Sequence, residues 1–197
     1  IGWHMTAEKL LNVKTPKKVD YMRVIIMELA RIADHIVCNS VIAVDTGALT
    51  GFLYVFQWRE KIYELYEQIC GARLTTNIGR IGGFERDFTP DVYRRLDEFL
   101  KDFPKALKEF ENMVMRNRIF MDRTIKTGPI SGERALEYGF TGPNLRAAGV
   151  DYDVRVMSPY SGFIILCSLF PVRYLLTSLR SFSVSPPRPC RSADRGH

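Results

Sequence analysis

The chain has 197 residues, 46% of them hydrophobic and 25% charged, with 14 Gly and 10 Pro, a balance that excludes a disordered chain and fits one ordinary folded domain. The longest candidate for a membrane span, Phe163–Val172, is about half the roughly 20 residues such a helix needs, and it contains Pro171. The net charge of +6 is unevenly spread: residues 1–160 carry 23 Lys and Arg against 21 Asp and Glu, whereas residues 161–197 carry five Arg against Asp194 alone, so the body of the chain gives no support to nucleic-acid binding.

Apolar residues at helical spacing predict a first helix over Met5–Val13, stopping before Thr15-Pro16. Thr15 is placed to cap the next helix, with Pro16 at its first position and Asp20 in its first turn. Val19, Met22, Ile26, Leu29, Ala33, Ile36 and Val37 then recur at three and four residues, and no breaker appears until about Thr46. Few positions on this helix are polar, so it is expected to be buried on most sides. Gly47 and Gly51 bracket a bend, and Phe52–Cys70 predicts an aromatic-rich helix ended by Gly71. Thr75–Asp87, with Gly79, Gly82 and Gly83, reads as a loop. Thr89-Pro90-Asp91 starts a third long helix, which Pro104 should kink or restart and which runs to about Asn117. Ser131-Gly132-Glu133-Arg134 opens a short helix ending at Gly139, and Phe140–Tyr160 reads as loop. The fold class is therefore mainly α, a helical bundle with glycine-rich connections.

Asp45, in Val44-Asp45-Thr46-Gly47, closes a hydrophobic helix just before a glycine bend. If buried there, its carboxylate must be hydrogen-bonded, paired or protonated; it serves either a functional site or the following turn. His35 follows Asp34 on the same helix, but ten helical residues set it about 15 Å along the axis from Asp45 and rotated by roughly 80°, too far for a direct dyad. A satisfied core histidine is the simpler reading. Gly79-Arg80-Ile81-Gly82-Gly83-Phe84 lacks the Gly-Lys-Ser/Thr ending of a phosphate loop. It reads better as a tight connection that holds Arg73 and Arg80 near something acidic or near a cluster. Arg116, Arg118 and Arg123 with Glu109, Glu111 and Asp122 read as a solvated or interface charge face. Cys38, Cys70, Cys167 and Cys190 form no CxxC and no Cys/His pair, which argues for free thiols and against a zinc or self-contained iron–sulfur site.

Several strings together resemble a known family: Ile1-Gly2-Trp3-His4-Met5, Arg31-Ile32-Ala33-Asp34-His35, Asp45-Thr46-Gly47-Ala48-Leu49-Thr50, Arg59-Glu60-Lys61, Gly71-Ala72-Arg73-Leu74 and Arg80-Ile81-Gly82-Gly83. Asn117-Arg118-Ile119-Phe120, Tyr138-Gly139-Phe140-Thr141-Gly142 and Tyr152-Asp153-Val154-Arg155 continue the series. Over residues 1–160 they are similar to the D-type (49 kDa type) chain, the hydrogenase-derived large subunit of bacterial respiratory NADH:quinone oxidoreductase (complex I). The resemblance implies the helical core shared with [NiFe] hydrogenase large subunits, here incomplete at both ends, since the chain begins at Ile1 inside a helix-like pattern. It further implies an oxidoreductase and translocase that works only as part of its complex, with electrons passing from the terminal [4Fe–4S] cluster of a partner subunit to quinone. The cluster, FMN and NADH belong to partner subunits, and no cofactor is bound by this chain alone. Subunits of B, C, H and I type are the expected partners, with peripheral association on the cytoplasmic side of the bacterial plasma membrane and no nucleic acid.

By position, Asp45 matches the family's quinone-site acid and proton relay, and His35 matches a family histidine. Arg73, Arg80 and Thr75 fall near the partner's cluster, Thr75 standing where some members carry a histidine. The family's headgroup-binding histidine and tyrosine precede Ile1, so this fragment alone is not expected to reduce quinone. Two alternatives stay open: a [NiFe] hydrogenase-like large subunit, or a noncatalytic helical scaffold or assembly protein. The stretch 161–197, apolar but irregular over Gly162–Ser178 and Ser/Pro/Arg-rich over Ser181–His197, does not match and is expected to be a disordered or frame-shifted tail. Resequencing the coding region is expected to find a frame change or junction there; an uninterrupted natural frame through residue 197 would contradict the frame-shifted reading.

Overall fold

A computed structural model describes residues 1–157. The described chain is mainly helical: α1 (Gly2–Leu11), α2 (Lys17–Asp45), α3 (Leu49–Cys70), a hairpin of β1 (Gly79–Arg80) and β2 (Gly83–Phe84), α4 (Pro90–Phe110), a π-helical turn (Glu111–Met115), α5 (Arg118–Thr124), α6 (Gly132–Glu137), α7 (Gly142–Ala147) and α8 (Val154–Met157). Two compact units divide it, Ile1–Met121 and the residues from Asp122 onward. The 161–197 stretch and its apolar run lie outside the described residues.

In the first unit α2 and α3 form a long antiparallel hairpin, and α4 lies against α3. Met22, Ile26, Leu29 and Ile36 of α2, all read from the sequence spacing, are buried together with Ile32; Val55, Ile62, Leu65 and Tyr66 of α3 and Phe99, Phe103 and Phe110 of α4 supply the rest of the core. The Tyr66 hydroxyl donates to the Ile26 carbonyl at 3.3 Å, tying the two helices, and burial pushes that phenol well above its usual range. The expectation from composition that α2 is buried on most sides is corrected. Ala30, Asp34, Cys38, Val41, Val44 and Asp45 form an exposed stripe on one face.

Several local expectations are corrected by a residue or a turn. Thr15 does not cap α2; Pro16 holds the cap position and the Thr15 hydroxyl donates instead to Asp20 at 2.9 Å. The bend after α2 is only Thr46-Gly47-Ala48, because Gly51 already lies inside α3. α4 passes through Pro104 without restarting, the ring sitting on the exposed side of the helix where it displaces no packing. Thr89 does cap α4, accepting from the Val92 amide at 3.4 Å. In the second unit Ser131 caps α6, accepting from the Arg134 amide at 3.3 Å, and Gly139 ends that segment at φ +71. The stretch expected as loop beyond Phe140 contains α7 and α8, the former opened by Gly142-Pro143 and anchored by Leu145, which is 3% exposed.

One buried ion pair fastens α1, α2 and the β hairpin. Arg23 donates through both terminal nitrogens to the Glu8 carboxylate, at 2.7 and 2.5 Å. Glu8 also accepts the Gly82 amide at 2.6 Å, at the hairpin turn where Gly82 has φ +85. Both side chains are under a tenth exposed. The bidentate fork and the amide satisfy the carboxylate as burial demands. These bonds, led by Arg23, hold the Glu8 carboxyl below its ordinary value of 4.5 despite burial. A depressed folded value stabilises the native state above pH 4.5, and the contribution is lost as pH falls through the folded value. Glu8→Gln is therefore expected to cost about 3 kcal/mol at neutral pH, by leaving Arg23 buried without its anion, and to flatten the acid limb of stability below pH 4.5. Urea denaturation across pH checks both, and an acid limb as steep as in the wild type would contradict the assignment.

Candidate functional site

Asp45 is the last residue of α2, and the chain reverses immediately after it. The Thr46 hydroxyl donates to the Ile42 and Ala43 carbonyls, each at 2.9 Å, and the Ala48 amide donates to Ala43 at 2.7 Å. Gly47, at φ +92, takes the left-handed conformation that lets α3 begin two residues later. These bonds consume the last carbonyls of α2 and fix the corner without using the Asp45 side chain. Asp45 is exposed, which corrects the expectation of a buried carboxylate. It stands among exposed apolar residues: Val41 and Val44 before it, Leu49 and Leu53 (60 and 62% exposed) after it. A carboxylate set among exposed apolar side chains is the pattern of a binding surface more than of a solvated helix end.

The corner's shape rests on a close approach. Gly51 is buried in the first turn of α3, and a Cβ there would stand 2.6 Å from Cγ2 of Val114 and 3.9 Å from Ala43. Val114 reaches that point from the π-helical turn, where the Arg116 amide donates to Glu111 five residues back at 2.9 Å. Three elements thus converge just behind the corner, with Ala43 and Val114 both almost fully buried. No periodicity announces this. The nearest signal is a small residue at both 43 and 51.

His35 is half-buried on an unbroken α2, and its backbone carbonyl accepts from the side-chain Nδ2 of Asn39 at 2.7 Å. The helix therefore keeps it the expected distance from Asp45. Arg73 is exposed after the end of α3; it pairs with Glu60, lies 3.7 Å from Glu67, and sits 5.6 Å from the Tyr63 ring centre. Thr75 is exposed, its carbonyl 4.0 Å from the Cys70 thiol. Arg80 pairs with Glu85 and donates to the Asn77 and Gly79 carbonyls at 2.7 and 2.8 Å. The expectation that Arg73 and Arg80 lie near something acidic holds. Asp45 and this loop are not brought into one pocket. They lie at opposite ends of α3, whose 22 residues run roughly 33 Å. Of the charged residues read as a face, Glu109, Arg116, Arg118, Asp122 and Arg123 are exposed and Glu111 is half-buried, with Arg116 paired to Glu111 at 3.0 Å and Glu109 accepting from Tyr54.

Residues 45–167 match the family described as respiratory-chain NADH dehydrogenase, 49 Kd subunit. The chain belongs to that family. It is 67% identical over 172 residues to the D-type subunit of the NADH-quinone oxidoreductase of Flavobacterium johnsoniae, covering 87% of this chain and 42% of the relative. It is 69% identical over 163 residues to the second D-type subunit of Cytophaga hutchinsonii, with 83 and 42% covered, and 51% identical over 160 residues to the D-type subunit of Leptospira biflexa, with 81 and 39% covered. The chain thus spans about two fifths of the length of the curated relatives it matches. Membership decides between the complex I and hydrogenase readings in favour of the first, and the mainly helical fold agrees with it.

Since the Gly51 approach shapes the Asp45 corner, Gly51→Ala is expected to destabilise the first unit by about 2 kcal/mol through overpacking against Val114. Val114→Ala in the same chain should recover at least half of that loss. Denaturation of the four members of this cycle measures the coupling; additive losses would contradict the contact.

Proposed function

We propose that the chain is part of the quinone-site subunit of NADH:quinone oxidoreductase. It receives electrons from the terminal [4Fe–4S] cluster of a B-type partner and delivers them to quinone, in a reaction coupled to ion translocation. NADH and FMN act in other subunits, and the partner's cluster supplies the electrons. The observation that carries this reading is the placement of Asp45, a carboxylate presented among Val41, Val44, Leu49 and Leu53 at a rigid helix corner. A quinone is an apolar ring with two carbonyls, and its reduction takes up two protons with two electrons. An apolar rim suits the ring and tail, and a carboxylate at that rim can hold or pass a proton at the carbonyl oxygen.

His35, half-buried about three turns back along α2, acts as a further proton-holding group that communicates with Asp45 only through intervening groups. At the other end of α3, Arg73, Arg80 and Thr75 present two guanidiniums and a hydroxyl. That chemistry suits neighbours of an anionic thiolate-held cluster and is not a ligand set. Thr75 cannot titrate in the working range, so it uncouples the cluster from pH and is compatible with a low-potential quinone such as menaquinone. The assembly includes subunits of the C, H and I types as well as B. A relative in Bdellovibrio bacteriovorus carries a name that joins the C and D types in one chain, which supports a C-type neighbour. No described helix is long and apolar enough to cross a membrane, and we place the protein peripherally, on the cytoplasmic side of the bacterial plasma membrane.

Two measurements test this on the assembled complex. Asp45→Asn is expected to lower quinone reductase activity about 100-fold or more with assembly unchanged; full activity in a normally assembled complex would favour a scaffold. The midpoint potential of the terminal cluster should be flat with pH, whereas a slope of roughly 60 mV per pH unit would show that a proton is still coupled there.

A further inference from the structure

Across the α2–α3 hairpin and the loop that follows, Arg23, Arg31, Arg73 and Arg80 each hold a carboxylate, from Glu8, Glu28, Glu60 and Glu85. Among the described residues of that segment Arg86 and Arg59 hold none; Arg86 is exposed, so the one arginine withdrawn from solvent without a carboxylate is Arg59. It is half-buried on α3, and its guanidinium lies 5.0 Å from the Phe56 ring centre and 4.8 Å from that of Tyr63, one turn to either side. Its Nε is shut off from solvent and has no hydrogen-bond partner among the described residues. The adjacent acids do not serve it: Glu60 and Glu67 are both directed to Arg73. The aromatic faces hold the cation in place and shield it, but they accept none of its five N–H groups. A half-buried guanidinium with an orphaned Nε is costly as it stands, and a planar carboxylate completes it through two parallel hydrogen bonds.

We infer that Arg59, held between Phe56 and Tyr63, is a recognition residue for an acidic side chain, Asp or Glu, of a partner polypeptide. The inference rests on the proposed assembly into a multi-subunit complex and adds a residue that the assembly uses. Charge complementarity selects the occupant. The slot is cationic and preorganised, the local carboxylates are spent, and a guanidinium shared with a carboxylate away from water makes a bond that a rim charge cannot match. Arg73, also against Tyr63 but neutralised by two acids, is not the anchor.

The test uses the chain in its assembled complex, with Arg59→Gln and Arg59→Lys. Since Arg59 has no carboxylate partner among the described residues, Arg59→Gln should leave the melting temperature of the isolated chain within about 2 °C of wild type, while recovery of partner subunits on the tagged chain falls at least about tenfold. In the Arg59→Lys complex a zero-length carbodiimide should join the new amine to an Asp or Glu of another subunit, identified by peptide mass spectrometry. Unchanged partner recovery by Arg59→Gln, or a cross-link solely to an acid of this chain, would overturn the inference. A wild-type chain that recovers no partner at all would instead overturn the assembly reading beneath it.

Discussion

The π-helical turn after α4 can lie close against the first turn of α3, behind the α2–α3 corner, only because residue 51 has no side chain. Val114 Cγ2 occupies the place where a Cβ would stand, and Ala43 fills the α2 side of the same junction. The tight packing of protein interiors makes even one added methyl group there costly. With Gly51, the reversal after Asp45 is short, the last α2 carbonyls are consumed by Thr46 and Ala48, and the Asp45 carboxylate is left to face outward. The π-helical turn belongs to the same device, since its extra residue per turn lets Val114 reach α3 from the end of α4.

The opposite end of the hairpin is held by different physics. There the Glu8–Arg23 pair joins α1, α2 and the β hairpin through a carboxylate that serves two arginine nitrogens and a glycine amide. Such a pair adds little net stability over apolar packing, because desolvation offsets most of its Coulomb energy, yet it tolerates no misalignment. It therefore acts as a registration device: it sets the loop that carries Arg73, Thr75 and Arg80 relative to α2. Apolar packing along about 33 Å of helix connects the two ends, so the acid at one and the cations at the other are presented by one stiff element.

The helices were legible in the sequence because apolar spacing and end signals agree. The Thr46 stop, Gly71, the Thr89 and Ser131 caps and Gly139 all fall where the chain turns. What was not legible depends on contacts distant in sequence. The Glu8–Arg23 pair spans 15 residues and two helices with no local pattern, and Gly51 looks like a bend residue until Val114 arrives from 63 residues away. The exposed stripe on α2 was hidden for another reason. Ala, Cys and Val on a surface read as core, so a face that awaits a covering element cannot be told from one already covered. Asp45 and the Arg73–Arg80 loop stand out as candidates through the resemblance to the D-type family and not through any chemical motif; Arg59 appears only as part of Arg59-Glu60-Lys61, and its unpartnered Nε emerges from geometry.

The Gly51-shaped corner around Asp45 is proposed as the face this chain offers to quinone. Photolabelling of the assembled complex with an azidoquinone, followed by peptide mapping, examines it most directly. Adducts are expected between Val41 and Leu53, suppressed by excess unmodified quinone. Competable adducts confined to α4 or to the residues from Asp122 onward, with none at the corner, would contradict it.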